Sequence, residues 1–148
     1  MQPAPDQDHR PDDLRMAFLA TPVAVRDSLQ RMLQLPPLCH LSEDGRSTAE
    51  LVLAEVLNNV AEHAYAEGPG PVTVSLDRTE LGLRCVITDQ GKAMPDGALP
   101  EGRLPVAPDM ALDDLPEGGF GWHLIRSLTT GLSYARVNEN NQLQFLLR

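Results

Sequence analysis

The stretch AEVLNNVAEHAY, residues 54–65, carries the side chains best suited to chemistry. With about 100° of rotation per helical residue, apolar side chains such as Val56 and Val60 fall on one arc. Four polar side chains share the opposite arc, namely Glu55, Asn59, Glu62 and His63. Asparagine is a poor helix former, and a solvated face would favour Lys, Glu, Gln or Arg. A carboxylate and a carboxamide one turn apart suit a hard cation such as Mg²⁺, whereas the alternative is an ordinary amphipathic helix.

A second candidate site lies where an apolar run ends in DQGKAMP, residues 89–95. Asp89 at a strand end, followed by Gly91, can project a carboxylate into a pocket while the chain turns tightly. The alternative is a simple turn, since Asp-x-Gly is common in turns.

A third candidate lies in EGGFGWHLIRSL, residues 117–128, where three glycines open a predicted helix. Gly118, Gly119 and Gly121 would let a ligand approach the backbone, and the free amides with the helix dipole favour phosphate. The alternative is a flexible helix entry. Trp122 and His123 are predicted to be packing residues, and no role is predicted for Asn58.

The hydrophobic periodicity predicts the order β-α-α-β-β, a long loop, then α-β-β. The predicted strands are 14–21, 71–77, 81–89, 132–138 and 142–148, and the predicted helices are 21–34, 47–65 and 120–129. This order predicts an α+β two-layer sandwich, in which helices cover one face of a mixed, largely antiparallel sheet. Residues 1–13 are predicted to be a disordered tail and residues 14–148 a single domain.

Composition excludes several classes of function. The formal net charge of -9 argues against a nucleic-acid binder, because no basic stripe could neutralise phosphates. No apolar run approaches the about 18 residues of a membrane span, and the opening residues do not resemble a secretion signal. Cys39 and Cys85 fit no metal or redox spacing, which predicts free thiols and a cytoplasmic location.

Taken together, the three motifs resemble the ATP-binding superfamily of gyrase, heat-shock chaperone, histidine kinase and mismatch-repair ATPases, which has the Bergerat fold. Within it, the chain is similar to the stand-alone serine/threonine kinases that act as anti-sigma factors. The family's N-box is matched by Glu55, Asn59, His63, Ala64 and Tyr65, its G1 box by Asp89, Gly91 and Pro95, and its G2 box by Gly118, Gly119, Gly121, Leu124 and Ile125.

The resemblance implies a role for each matched position. Glu55 would be the general base, Asn59 would ligate Mg²⁺, and Asp89 would accept a hydrogen bond from the adenine amino group. Gly91 would keep the adenine pocket open. Gly119 and Gly121 would let backbone amides reach the phosphates, and residues 96–117 would form the ATP lid. The other nucleotide-binding positions implied by the motifs and the lid are His63, Pro95, Arg103, Gly118 and Leu124.

The function implied by the resemblance is that of an ATP- and Mg²⁺-dependent serine/threonine protein kinase and anti-sigma regulatory factor. It would phosphorylate a small anti-sigma-factor antagonist protein in a partner-switching module, bind a sigma factor and form a homodimer. One alternative is a nucleotide-dependent sequestering module without kinase activity. Another is an ordinary α/β domain in which the motifs coincide by chance.

Overall fold

The computed structural model describes residues 12–101 and 119–148, and its elements follow the predicted order. The strands are β1 (Leu14–Leu19), β2 (Pro71–Thr79), β3 (Gly82–Asp89), β4 (Thr130–Val137) and β5 (Asn140–Leu147). The helices are α1 (Pro22–Leu33), α2 (Glu43–Asn59) and α3 (Gly119–Leu128). None of the helices in these two ranges is long and apolar enough to cross a membrane. The predicted tail lies outside the described residues except for its last two positions.

The five strands form one sheet in the order β1-β2-β3-β5-β4, and each of its four ladders is antiparallel. Alternate side chains of the three central strands are buried, which is the pattern of a sheet with one covered face. These side chains join the apolar faces of the helices in a single core, with Phe145 and Ile125 fully buried. The predicted α+β fold is confirmed, and both cysteines are free thiols.

Both long helices begin at a capping residue. The Thr21 side chain accepts a hydrogen bond from the backbone of Ala24 at 3.1 Å, as predicted for the start of α1. Helix α2 begins earlier than the predicted Ser47, because the Ser42 side chain caps it by accepting from the backbone of Gly45 at 3.0 Å. Acidic residues in the first turn of α2 add a favourable interaction with the helix dipole.

The prediction of a regular helix to Tyr65 is wrong in its last turn. Helix α2 ends at Asn59 and continues as a π turn, Val60–Ala64, which is closed by a 3.0 Å hydrogen bond from the backbone of Tyr65 to the carbonyl of Val60. Turns of this kind accommodate an extra residue and are frequent at functional sites. The side chains after Asn59 are therefore rotated relative to a regular helix.

The β4–β5 hairpin turns one residue earlier than the sequence suggested. Its turn residues are Asn138 and Glu139, with φ of 52° and 67°, as in the two-residue turns that match strand twist. Asn140 and Asn141 were expected to belong to the turn, but they are the first residues of β5. This register places Asn141 directly opposite Asp89 of β3.

Candidate functional site

A cavity of about 640 Å³ is bounded by the end of α2 with its π turn, the ends of β3 and β5, and α3. Asn59, His63, Asp89 and Pro95 all line this cavity, so the structure brings these four predicted site residues together. Most of its remaining wall is apolar, with side chains that include Val56, Val60, Ile87, Met94, Trp122 and Leu143. A concave, mostly apolar wall with a few polar groups is typical of a small-molecule site.

Asn59 contributes a polar group to the cavity that the protein leaves unsatisfied. Its Nδ2 atom is buried and has no hydrogen-bond partner among the residues that the structure describes. An unpartnered buried amide costs about 1–3 kcal/mol, and such groups in folded proteins call for an explanation. A polar ligand in the cavity would supply one. Asn58, the neighbouring asparagine, is exposed.

Glu55 lies one turn before Asn59 but is not part of the cavity wall. It is half-buried against the first turn of α3, where a Cβ atom added to Gly121 would lie 2.6 Å from Oε2 of Glu55. The absence of a side chain at Gly121 therefore leaves room for this carboxylate. Glu55 sits beside the start of α3, close to the site where the predicted phosphates would lie.

The π turn explains why the predicted polar arc is only partly correct. His63 lines the cavity, but its side chain is 65% exposed and its Nε2 atom lies 4.0 Å from a carboxylate oxygen of Glu62, which is itself outside the wall. Val56 and Val60, expected on the opposite arc, line the cavity with Asn59. A helix of regular period does not describe residues beyond Asn59.

Asp89 is the buried acid of the site. It ends β3 with 6% of its surface exposed, and Oδ1 accepts hydrogen bonds from the backbone of Gly91 and from Nδ2 of Asn141, both at 2.8 Å. Burial raises the pKa of Asp89 above its ordinary value, while these hydrogen bonds and the charge of Arg136 act in the opposite direction. Its carboxylate lines the cavity rather than only stabilising a turn.

The turn after Asp89 is fixed to the end of the α2 segment. The backbone amide of Gln90 donates to the hydroxyl of Tyr65 at 2.6 Å, and that of Lys92 donates to the carbonyl of Ala64 at 2.8 Å. A Cβ atom at Gly91 would collide with the carbonyl of Ala64, so glycine is needed for this close approach. Gly91 therefore supports the turn and is not itself part of the main cavity wall.

The glycine-rich segment is described from Gly119 onwards, where α3 begins. Trp122 is 4% exposed, belongs to the core and also lines the cavity, so the predicted packing role accounts for only part of its position. His123 and Leu124 are half-buried and outside the wall. Gly118, Arg103 and most of the predicted lid, residues 102–117, lie outside the described residues.

Sequence reasoning missed four polar residues at the base of the cavity. These are Lys92, Tyr134, Arg136 and Asn141, of which Lys92, Tyr134 and Asn141 line the cavity and Arg136 hydrogen-bonds to Asn141. Lys92 lies inside a motif that was singled out, and its Nζ atom is 3.2 Å from Oε1 of Glu67. The alternation of β4 could have placed Tyr134 on the inner face. No signal pointed to Asn141, because its segment was interpreted as a turn.

A divalent cation would find few protein ligands here. The described ranges contain no group of three His, Cys, Asp or Glu side chains that could hold a metal ion. Asn59 is the amide in the cavity with unsatisfied hydrogen-bonding capacity. Mg²⁺ keeps several waters and commonly binds through one or two side chains together with substrate phosphates, so the residues present fit that ion bound with a nucleotide.

Two helices over an antiparallel sheet, with a cavity at the end of β3, form the architecture of the Bergerat class of ATP-binding domains. The chain belongs to the histidine kinase-like ATPase domain family, whose model matches residues 18–147.

Three protein kinases illustrate this relationship. The chain is 36% identical to the serine/threonine-protein kinase BtrW of Bordetella bronchiseptica over 136 residues, which cover 89% of each protein. It is 35% identical to the serine-protein kinase RsbW of Halalkalibacterium halodurans over 85 residues, or 57% of this chain and 52% of the relative. For RsbW of Bacillus licheniformis, identity is 31% over 88 residues, or 59% of this chain and 55% of the relative. The chain spans about half the length of these RsbW relatives.

Proposed function

We propose that this protein is an ATP- and Mg²⁺-dependent serine/threonine protein kinase. The observation that carries the proposal is the convergence of Asn59 and Asp89 on one cavity, with Glu55 one turn from Asn59. The printed names of its relatives, which include serine and serine/threonine kinases, support the same activity. The chemistry can be followed from the closed end of the cavity to α3.

The nucleobase would occupy the end of the cavity at Asp89. A purine ring suits the apolar side chains of Val60, Ile87 and Met94. The Asp89 carboxylate would accept a hydrogen bond from the adenine amino group, and Gly91 lets the supporting turn lie close to the π turn. His63 and Pro95, which also line the cavity, would flank the nucleotide.

Asn59 would hold Mg²⁺ through its side-chain oxygen, next to the phosphates. When bound, this ion would supply positive charge that neutralises the phosphate oxygens. The start of α3, at Gly119 and Gly121, would offer backbone amides and the positive end of the helix dipole. We assign Gly118, Leu124 and the lid residue Arg103 to the same phosphate end from their places in the motifs and the lid.

Glu55 would act as the general base. Its carboxylate accepts the proton of a serine hydroxyl on the partner, the serine oxygen forms a bond to the γ-phosphorus, and the bond from that phosphorus to the leaving ADP oxygen breaks. Gly121 leaves space for this carboxylate beside α3, and the residue one turn later holds the metal. Catalysis then rests on positioning and charge neutralisation rather than on a covalent enzyme intermediate.

The partner would be a small anti-sigma-factor antagonist protein phosphorylated on serine or threonine, in a module that also sequesters a sigma factor. We further propose that the chain acts in the cytoplasm and can form a homodimer. The second candidate function is nucleotide-dependent capture of the partner without phosphoryl transfer, since Glu55 lies outside the cavity wall.

The test is a pull-down from cell extract with the full chain, with and without ATP, followed by mapping of phosphoserine and phosphothreonine on the captured protein. With Glu55→Gln, we expect loss of partner phosphorylation while ADP affinity stays within about twofold, because the substitution removes only the proton acceptor. Glu50→Gln, an exposed change on the same helix, is the matched control. Unchanged phosphorylation in Glu55→Gln would exclude Glu55 as the base. ATP-dependent capture without phosphorylation by the unaltered chain would favour the sequestering function.

A further inference from the structure

Asp89 and Asn141 are direct neighbours across two strands. They are register partners at one end of the β3–β5 ladder, and their residues are 6% and 5% exposed. Nδ2 of Asn141 donates a hydrogen bond to Oδ1 of Asp89 at 2.8 Å. A buried carboxylate needs such donors, because its charged form has lost hydration. Asn141 is therefore one of the groups that allow the acid to stay charged in the cavity wall.

Two donors on β4 fix the orientation of the Asn141 amide. The hydroxyl of Tyr134 donates to Oδ1 of Asn141 at 2.5 Å, and Nη1 of Arg136 donates to the same oxygen at 2.9 Å. Arginine has no acceptor, so the end of the amide that faces it is the carbonyl oxygen. The amino end of Asn141 is thereby turned to Asp89 and to the carbonyl of Lys92, which it reaches at 2.7 Å.

The hydrogen bonds of Asp89 fall on one of its two oxygens. Oδ1 accepts from both Gly91 and Asn141, whereas no residue in the two described ranges donates to Oδ2. Because Asp89 lines the cavity, Oδ2 is the acceptor left for a ligand. The network thus decides which oxygen is occupied by the protein and which remains free.

We propose that Asn141 is a positioning residue for base recognition: held by Tyr134 and Arg136, it fixes the Asp89 carboxylate so that the free oxygen meets an amino group on the nucleobase. The inference rests on the proposed function, in which Asp89 accepts a hydrogen bond from adenine. Without the Asn141 donor the acid would protonate more readily and lose its strength as an acceptor. Asn141 therefore sets the preference for a base with an amino group over one with a carbonyl at that position.

The test compares binding of ADP and inosine diphosphate, in which a carbonyl replaces the adenine amino group, by titration calorimetry with Mg²⁺. We expect the unaltered chain to bind ADP at least about tenfold more tightly, because a carboxylate rejects a carbonyl. In Asn141→Leu we expect ADP affinity to fall about tenfold and inosine diphosphate affinity to change less than about threefold. Gln142→Leu, the same change on the exposed face of β5, should leave both affinities unaltered.

The outcomes separate this inference from the proposed function. Equal losses for both nucleotides in Asn141→Leu would show a purely structural role, and unchanged affinities would show none, so either result overturns the inference. If Asn141→Leu does not fold, Tyr134→Phe decides: it removes one donor to the Asn141 amide and should lower the ADP preference about threefold, whereas an unchanged preference contradicts the inference. An unaltered chain that binds neither nucleotide overturns the proposed function itself.

Discussion

The backbone of Gly121 lies against the carboxylate of Glu55, so that a methyl group at position 121 would stand 2.6 Å from Oε2. The contact joins the first turn of α3 to the middle of α2, two elements that are far apart in the chain. Its partner atom is the end of a flexible side chain rather than backbone. Any side chain at position 121 would therefore move the carboxylate before it disturbed the fold.

Gly121→Ala should uncouple phosphoryl transfer from stability. We expect the free energy of unfolding to change by less than about 1 kcal/mol, because the Glu55 side chain can shift aside. Transfer to the partner should fall by about a hundredfold, since small misplacements of a catalytic group are costly. Thermal melting and a phosphorylation assay measure the two effects. Ser127→Ala on the exposed side of α3 is the control, and equal transfer by both variants would contradict the prediction.

Gly91→Ala should act differently, because its added methyl group meets backbone. The carbonyl of Ala64 occupies that space, and it also accepts the hydrogen bond from the amide of Lys92. We expect a loss of about 1–3 kcal/mol in unfolding free energy, typical of overpacking, together with weaker ADP binding. Denaturant titration and calorimetry test this.

The glycine-to-alanine control is Gly45, in the first turn of α2. Its nearest neighbour to an added methyl group is Oγ of Ser42 at 3.1 Å, a side-chain atom. Gly45→Ala should leave stability unchanged or raise it slightly through helix propensity. A Gly91→Ala protein as stable as Gly45→Ala would show that the contact with Ala64 is easily relaxed.

Tyr65→Phe should loosen the turn that follows Asp89. The Tyr65 hydroxyl accepts from the amide of Gln90 and donates to the carbonyl of Pro71, each at 2.6 Å. Burial raises the pKa of Tyr65, so the hydroxyl keeps its proton at neutral pH and can donate. We expect about 1 kcal/mol less stability and faster hydrogen exchange at the Gln90 amide. An unchanged exchange rate there would show that the turn is held by its other contacts alone.

The raised pKa of Asp89 predicts a pH dependence with a definite sign. Because the folded protein holds this proton more tightly than the unfolded chain, the stability due to protonated Asp89 is present below about pH 4 and is lost as pH rises through the folded pKa. Asp89→Asn removes the titration while its side-chain oxygen can still accept from Gly91 and Asn141. The groups that face Asp89 and could also titrate are Tyr65 and Arg136, and neither changes charge in acid.

The measurement is the difference in unfolding free energy between the unaltered chain and Asp89→Asn as a function of pH. This difference should move against the unaltered chain as pH rises from about 4 and then become constant. ADP affinity should fall in acid at a higher pH than an ordinary carboxyl would produce. A stability difference that does not vary with pH would contradict a raised pKa.

Periodicity predicted the fold well because its elements obey simple patterns. The alternation of β3 and β5 and the Thr21 cap of α1 follow from residue types alone. The start of α2 was placed too late because Ser42 is separated from the first strong apolar stripe by polar residues, so its role as a cap shows only in the hydrogen bond to Gly45.

The polar base of the cavity could not be predicted from local patterns. Asn141 was assigned to a turn because NENN is rich in turn-forming residues, and a shift of one residue in a hairpin register decides which face a side chain takes. Its pairing with Asp89 joins residues from separate hairpins, which no motif records. Asn59 and Asp89 were found because their types are unusual for a helix interior and a strand end.

The π turn at Val60–Ala64 also fixes the reading frame of the chain around the site. Such a turn holds one residue more than a regular helical turn, so deleting a single residue there would let the helix close with ordinary geometry. Everything after the deletion would rotate by about 100°, and the Ala64 carbonyl would no longer meet the amide of Lys92. The spacing between the asparagine and the tyrosine of this helix is thus constrained by backbone pairing as well as by the side chains it carries.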